Sequence, residues 1–267
     1  MEGSKNNTLI LAGSILLAGL LIAFGIYAVN KDTGTVTPPD DTIDTTTTLD
    51  IRPITEADHI VGSINASLII VEYSDTECPY CKDFHNVMNN VMESYKNGNE
   101  VAWVYRHFPL TSIHPKASLE AQATECANEQ GGNNTFWTYI NNLYAVTPSN
   151  NNLDLSVLDN LAKDMKLDTK AFEACRSSKR FEKAVQNSYN EAIKVGATGT
   201  PFNVFVLKEA MPANTLVKVQ EMQKQFRPGQ VTISNDGKRV SLGGGLSEQG
   251  VTSFITLLLE IAPVSAE

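Results

Sequence analysis

The chemistry offered by this chain begins with two cysteines two residues apart, in the run Cys78-Pro79-Tyr80-Cys81. Such a pair can close one tight disulfide ring or give two thiolates to a metal. Structural zinc takes four ligands, usually completed by a second Cys-x-x-Cys or by histidines three to five residues apart. The sequence has no second pair, and His107 and His114 are spaced too widely to supply the histidine half. No metal and no cofactor is therefore expected. Position favours redox chemistry over a plain structural bridge. Residues 67–73 (SLIIVEY) read as a buried strand, and 79–95 carry Phe84, Val87, Met88, Val91 and Met92 at helical spacing. Cys78 thus opens a helix, where unsatisfied N–H groups and the positive end of the helix dipole favour thiolate. Thiolate is both the nucleophile and the better leaving group in disulfide exchange. Pro79 fits the first helical turn, where its missing N–H costs nothing.

Two further positions belong to this reading. Glu72 falls inside the apolar strand, where a carboxyl is costly unless paired or protonated, so its pKa should be raised. Beneath the cysteines it could shuttle a proton for Cys81; the alternative is an acid pointing outward from an edge strand. Downstream, Gly199-Thr200-Pro201 opens the strand predicted at 202–207 (FNVFVL). A proline there is a candidate cis peptide, presenting the backbone of Thr200 to an extended substrate.

The remaining cysteines, Cys126 and Cys175, both fall in predicted helices. They read either as buried free thiols or, in an oxidising compartment, as a structural disulfide, and the disulfide is the expectation. His85 reads as a surface or capping residue and His114 as a loop anchor. Trp103, Phe136, Trp137 and Tyr139 read as core.

These side chains must be held by a mixed sheet. Residues 101–108 alternate as a second strand, joined to the first by a helix, which implies a parallel pair. A helical block follows over about 113–195, with breaks at Gly131-Gly132 and at 148–152. After the third strand come a helical stretch within 210–229 and a hairpin around Asn235-Asp236-Gly237. A last helix opens at Ser247-Glu248. The fold class is α/β, with helices on both faces of the sheet and a large helical insertion.

The N-terminal part has a different character. Residues 8–28 are uncharged and rich in Leu, Ile, Ala and Gly. As a helix they would rise about 30 Å, enough to cross a bilayer. The expectation is a single transmembrane anchor within 1–29, with a cleaved signal peptide as the alternative. Lys5 before the segment and acids beyond it orient the bulk of the chain outside the cytoplasm. A Thr/Asp/Pro-rich linker over 30–57 follows, and the folded domain is expected over 58–267. With a net charge of −9, nucleic-acid binding is excluded as an expectation.

Taken together, Glu72 through Cys81 resemble the active-site stretch of the DsbA-like family of thioredoxin-fold oxidoreductases. The resemblance continues through Arg106-His107-Phe108-Pro109-Leu110, His114-Pro115-Lys116-Ala117, Ala123 through Gly131, Phe136-Trp137 and Gly199-Thr200-Pro201. It implies a thioredoxin fold interrupted by a helical domain, with Cys78 nucleophilic and Cys81 resolving. Glu72 would be the buried acid and Pro201 the cis-proline. The implied activity is oxidation of dithiols in unfolded exported proteins. Re-oxidation would come from a membrane partner of the DsbB or vitamin K epoxide reductase-like kind. Tyr80 departs from the histidine that the best-known members carry, removing a cationic neighbour of the thiolate. Thr200 also occurs in reductase and isomerase relatives, so those activities remain alternatives, as does a non-catalytic peptide-holding module.

Overall fold

The computed structural model describes residues 49–260. The expected anchor over residues 8–28 lies outside them. Among the described residues no helix is long and apolar enough to cross a membrane.

Alternating side chains organise the centre of the molecule. Strand β2 (Leu68–Ser74) sends Leu68 and Ile70 into one core, and Ile69, Val71 and Tyr73 into another on the opposite face. Strand β3 (Val101–His107) divides in the same way, with Trp103 and Tyr105 on the first side and Ala102 and Val104 on the second. Both strands are buried throughout, as strands sandwiched between helices must be. They pair in parallel, Ser74 opposite His107, as the helical connection between them requires. Helix α1 (Pro79–Tyr95) makes that connection and covers the first face with Phe84, Met88, Val91 and Met92.

Outside this pair the sheet is antiparallel. Strand β4 (Phe202–Leu207) lies beside β2, and the hairpin of β5 (Val231–Ile233) and β6 (Arg239–Gly243) completes that edge. At the other edge a short strand, β1 (His59–Val61), runs antiparallel to β3. The sheet order is β1-β3-β2-β4-β6-β5. Strand β1 has no counterpart in the sequence reading, because three residues carry too little alternation to register. Gly62 closes its turn at φ +95°, with the Val101 carbonyl 2.7 Å from where a Cβ would lie.

The helical insertion is α2 (Ala117–Val146), α3 (Ser156–Asp164), α4 (Thr169–Ser178) and α5 (Glu182–Val195). Helix α2 kinks at Gly132, whose φ of 72° lies outside the helical region, where the sequence places a break. The insertion has its own core, which includes Tyr139, Leu143, Leu158 and Phe172. Cys126 of α2 and Cys175 of α4 are joined there as a disulfide. Helix α6 (Ala213–Gln223) lies after β4, and α7 (Glu248–Leu259) ends the described chain, with Ser247 capping the N–H of Gly250 at 3.1 Å.

Leu49 and Ile51, assigned by sequence to the linker, are buried in the second core. Arg52 next to them pairs with Asp58 and Glu191. Two apolar side chains and the Arg52 pairs together dock this segment. Arg106 continues the network from the interior, bonded to Asp58 at 3.0 Å and to Glu191 at 2.5 Å, and so ties β3 to α5.

The bridge closes a loop with a sequence separation of 49. In the chain-entropy account that loop is worth up to about 4 kcal/mol. Replacing Cys126 and Cys175 together with Ala should lower unfolding free energy in urea by roughly 2–4 kcal/mol. A change below about 0.5 kcal/mol would show that α2 and α4 are held by packing alone.

Candidate active site

Cys78 is the residue immediately before α1, in extended backbone conformation, with Pro79 as the first helical residue. No side chain caps this helix end, and no acid sits in its first turn. The Tyr80 and Cys81 N–H groups therefore act on the Cys78 sulfur without a competing carboxylate. Both cysteines are in the dithiol form and both are buried, Cys78 at 5% exposure and Cys81 at 0%. Tyr80 between them is 71% exposed and turns away.

The two thiols are pushed in opposite directions. Cys78 falls to about 6, chiefly because the Cys81 thiol donates to it, with further donation from Thr200 and from the backbone N–H groups of Cys81 and Tyr80, against opposing burial. The helix terminus thus contributes, but the partner thiol contributes more than the sequence argument assigned to it. Cys81 is raised well above its ordinary value by complete burial and by the neighbouring Cys78 charge. Its sulfur accepts the Asp75 N–H at 3.4 Å. The pair is therefore a thiolate just beneath the surface backed by an interior thiol that holds its proton.

Thr200 and Pro201 meet the cysteines from the other end of the sheet. The Thr200–Pro201 bond is cis. The Thr200 carbonyl accepts from Cys78 Sγ at 3.6 Å, and the buried Thr200 hydroxyl has no hydrogen-bond partner. Beside this loop a groove of about 480 Å³ runs along Gly199, Thr200, Phe202, Gln230 and Gly243.

Glu72 is fully buried and lies on the cysteine-bearing face of β2, not on an outward edge. Burial lifts its carboxyl to about 7; hydrogen bonds from Ser74 and Trp103 oppose the shift, and the Cys78 charge adds to it. Trp103 Nε1 donates to one oxygen at 2.9 Å, and the other oxygen has no partner. Ser74 also bonds Tyr144 at 3.0 Å and interacts with Cys81. Tyr105 reaches Tyr144 at 3.3 Å. A buried string of hydroxyls therefore surrounds Glu72 and Cys81.

Several participants were invisible in the sequence. His85, read there as a surface or capping residue, is wholly buried, packed at a tilt against Trp103 and Tyr144 and bonded to Asn141 at 2.6 Å. Burial drops its pKa to about 4, so it stays neutral. Its helical position falls on the buried stripe of Cys81, Phe84 and Met88, which turns it inward. Asp75 anchors the loop before Cys78, accepting the N–H groups of Leu110 at 2.7 Å and Glu77 at 2.8 Å and bonding His114 at 2.9 Å. His114 is the loop anchor expected. Glu77 and Glu120 are both buried, and Glu120 rises to about 9 through burial and the Glu77 carboxylate. One of this pair therefore holds a proton at neutral pH. The only sequence signal was the density of acids just before Cys78.

Comparison with known proteins follows the same lines. A sequence profile described as Thioredoxin matches residues 54–223, well over half of the chain. The chain belongs to the thioredoxin family. Its fold is the DsbA type, with the helical insertion. It is similar to the alpha-DsbA1 crystal structure of Wolbachia pipientis, at 22% identity and a TM-score of 0.62 over 84% of this chain and 100% of that one. DsbA2 of Pseudomonas aeruginosa gives 23% and 0.56 over 80% and 100%. BcfH of Salmonella enterica Typhimurium gives 18% and 0.58 over 95% and 89%. Curated relatives include the Na(+)/H(+) antiporter NhaA 1 of Mycolicibacterium gilvum (strain PYR-GCK), 34% identical over 48% of this chain and 20% of that protein. NhaA of Herminiimonas arsenicoxydans is 29% identical over 64% of this chain and 26% of that protein. The chain spans about a quarter or less of the length of these relatives, and the antiporter name is theirs.

The Thr200 hydroxyl is buried and unpartnered, so it is free to donate to the Cys78 sulfur once that group ionises. Thr200→Val should raise the midpoint of Cys78 alkylation by about one pH unit, the size of one charge-assisted hydrogen bond. An unchanged midpoint would remove Thr200 from the thiolate's environment.

Proposed function

We propose that the chain oxidises dithiols of exported, unfolded proteins by exchange with a Cys78–Cys81 disulfide. The observation carrying this reading is the split between a low-pKa Cys78 at a helix start and a fully buried, high-pKa Cys81. A substrate thiolate attacks Cys78 Sγ, the Cys78–Cys81 bond breaks, and its electron pair leaves on Cys81. Cys81, with its raised pKa, takes up a proton at once, and Glu72 is the buried acid beside it that can give one. A second substrate thiolate then attacks the substrate sulfur of the mixed disulfide and expels Cys78 as a stable thiolate. The substrate leaves with one disulfide, and the protein holds two electrons as a dithiol. The groove beside Thr200 is the proposed cradle for the substrate's extended backbone. A membrane acceptor of the DsbB or vitamin K epoxide reductase-like kind would re-oxidise the pair. Residues 8–28 would hold the domain at the membrane, outside the cytoplasm.

A reductase or isomerase reading has one observation in its favour. A thiol lowered from 9.0 to about 6 stabilises the dithiol form at pH 7 by only ~1.4 kcal/mol, or roughly 30 mV. Thioredoxin and DsbA differ by about 150 mV. Exposed Tyr80 supplies no cation to widen the shift. The expectation is thus a moderately oxidising couple, measured by equilibration with glutathione. A potential well above thioredoxin's value of about −270 mV supports the oxidase, and one at or below it supports the reductase. Because one thiol ionises near pH 6, the slope of potential against pH should change there, from about 59 to about 30 mV per unit. A straight line across that range would contradict the low Cys78 pKa.

Glu72 gives an independent test. Its folded pKa lies above the unfolded value, so the native state holds the extra proton and stability declines as pH rises from 4.5 through about 7. Glu72→Gln should therefore unfold later than wild type at pH 8, by up to about 3 kcal/mol, and indistinguishably at pH 4. The same variant should slow dithiol oxidation by roughly 100-fold, the lower end of general-acid effects. A variant with full activity would remove Glu72 from proton transfer.

A further inference from the structure

Away from the cysteines, three side chains from three different elements converge on one point. His59 of β1 and His107 of β3 both aim Nε2 at the same Glu125 oxygen, Oε1, at 2.8 and 3.0 Å. All three ligand-type atoms lie within 4.8 Å of one another. In sequence these residues are far apart and form no recognisable metal motif, which is why the expectation of no metal arose. Only the antiparallel edge β1–β3, packed against α2, brings them together.

We propose that His59, His107 and Glu125 form a binding site for a divalent transition-metal ion of the zinc class. The donor set is two imidazole nitrogens and one carboxylate, which suits zinc and its neighbours and not calcium or magnesium, whose ligands are oxygens. A four-coordinate ion with bonds of about 2.0–2.1 Å sets its ligands roughly 3.3 Å apart. The present nitrogen–oxygen spacings need to open by only a few tenths of an ångström.

The rings are already oriented for this. His59 stacks flat on Phe136, with centroids 3.5 Å apart and planes 4° from parallel. His107 is held edge-on by Tyr105 and Phe136 at 5.4 and 6.0 Å. Glu125 sits on α2 beside Cys126, which the disulfide fixes to α4. The three residues border a cavity of about 210 Å³, which leaves room for water at a fourth position. Asp58 on the same wall is committed to Arg52 and Arg106, so Glu125 is the carboxylate left for a cation.

A metal there would pin the helical insertion to the edge of the sheet. It would also sit near the active-site loop, since His107 lies opposite Ser74 in the β2–β3 register, and the Phe108 N–H bonds the Ser74 carbonyl at 2.7 Å. Its effect on the protein would be stabilisation by mass action, with no part in electron transfer.

The experiment uses the full chain with Cys78–Cys81 held as the disulfide, so that no thiolate competes for metal. Titration with Zn²⁺ by calorimetry, and with Co²⁺ followed by visible absorption, should show one saturable site. Zn²⁺ should raise the unfolding temperature, and a chelator should reverse the rise. Glu125→Gln keeps an acceptor for both imidazoles and His59→Gln replaces the more exposed ring, so both should fold in the absence of metal. Each should bind at least about 100-fold more weakly, exceeding the 10–100-fold cost of losing an outer-sphere partner. Lack of saturable binding below millimolar metal would overturn the proposal. So would binding or thermal stabilisation that persists in both variants.

Discussion

Everything at the active site depends on how many donors converge on the Cys78 sulfur. A buried thiolate is unfavourable on its own, and burial does oppose ionisation here. It is outweighed because the Cys81 thiol, Thr200 and two α1 amides all point inward at one atom. These donors come from a helix start, from the next cysteine along that helix, and from a loop some 120 residues later in the chain. The sheet order, which sets β4 beside β2, is what makes them neighbours. The fold serves the site chiefly by holding that convergence in place.

On the groups just behind, the same burial prevails. Cys81, Glu72 and Glu120 are all raised because they are removed from water and face neighbours that carry negative charge when ionised. The site is thus layered: an ionised sulfur against the Thr200 carbonyl, then protonated groups toward the core. The layering gives exchange a direction within the pair, since the outer sulfur is the better leaving group and the inner one the better proton acceptor. It does not by itself fix the direction of flux with substrate, because the thiolate's stabilisation near neutral pH is modest.

Much of this was legible from residue types. Strand β4 was placed at its observed bounds because FNVFVL is a short buried run set off by Pro201. The kink in α2 announced itself as Gly131-Gly132. Cys78 at a helix start could be read from an apolar strand followed by Pro79 and a helical stripe. Other features depend on long-range packing that no local pattern records. His85 has the sequence neighbourhood of a surface residue, yet its helical phase turns it inward against Trp103. Asp75 acquires its role from the loop carrying Leu110 and His114, and Glu77 from Glu120 of α2, both distant in sequence. Strand β1 is too short to show a period, and with it was lost the meeting of His59, His107 and Glu125.

The central claim is that Cys78 is ionised, and Cys81 is not, over the range in which exchange takes place. The direct measurement is a titration of the reduced protein from pH 3 to 10, following the ¹³Cβ chemical shifts of both cysteines. The account predicts a Cys78 midpoint near 6, with Cys81 remaining a thiol beyond pH 9. A Cys78 midpoint near 8.5, the value of an unperturbed thiol, would contradict it.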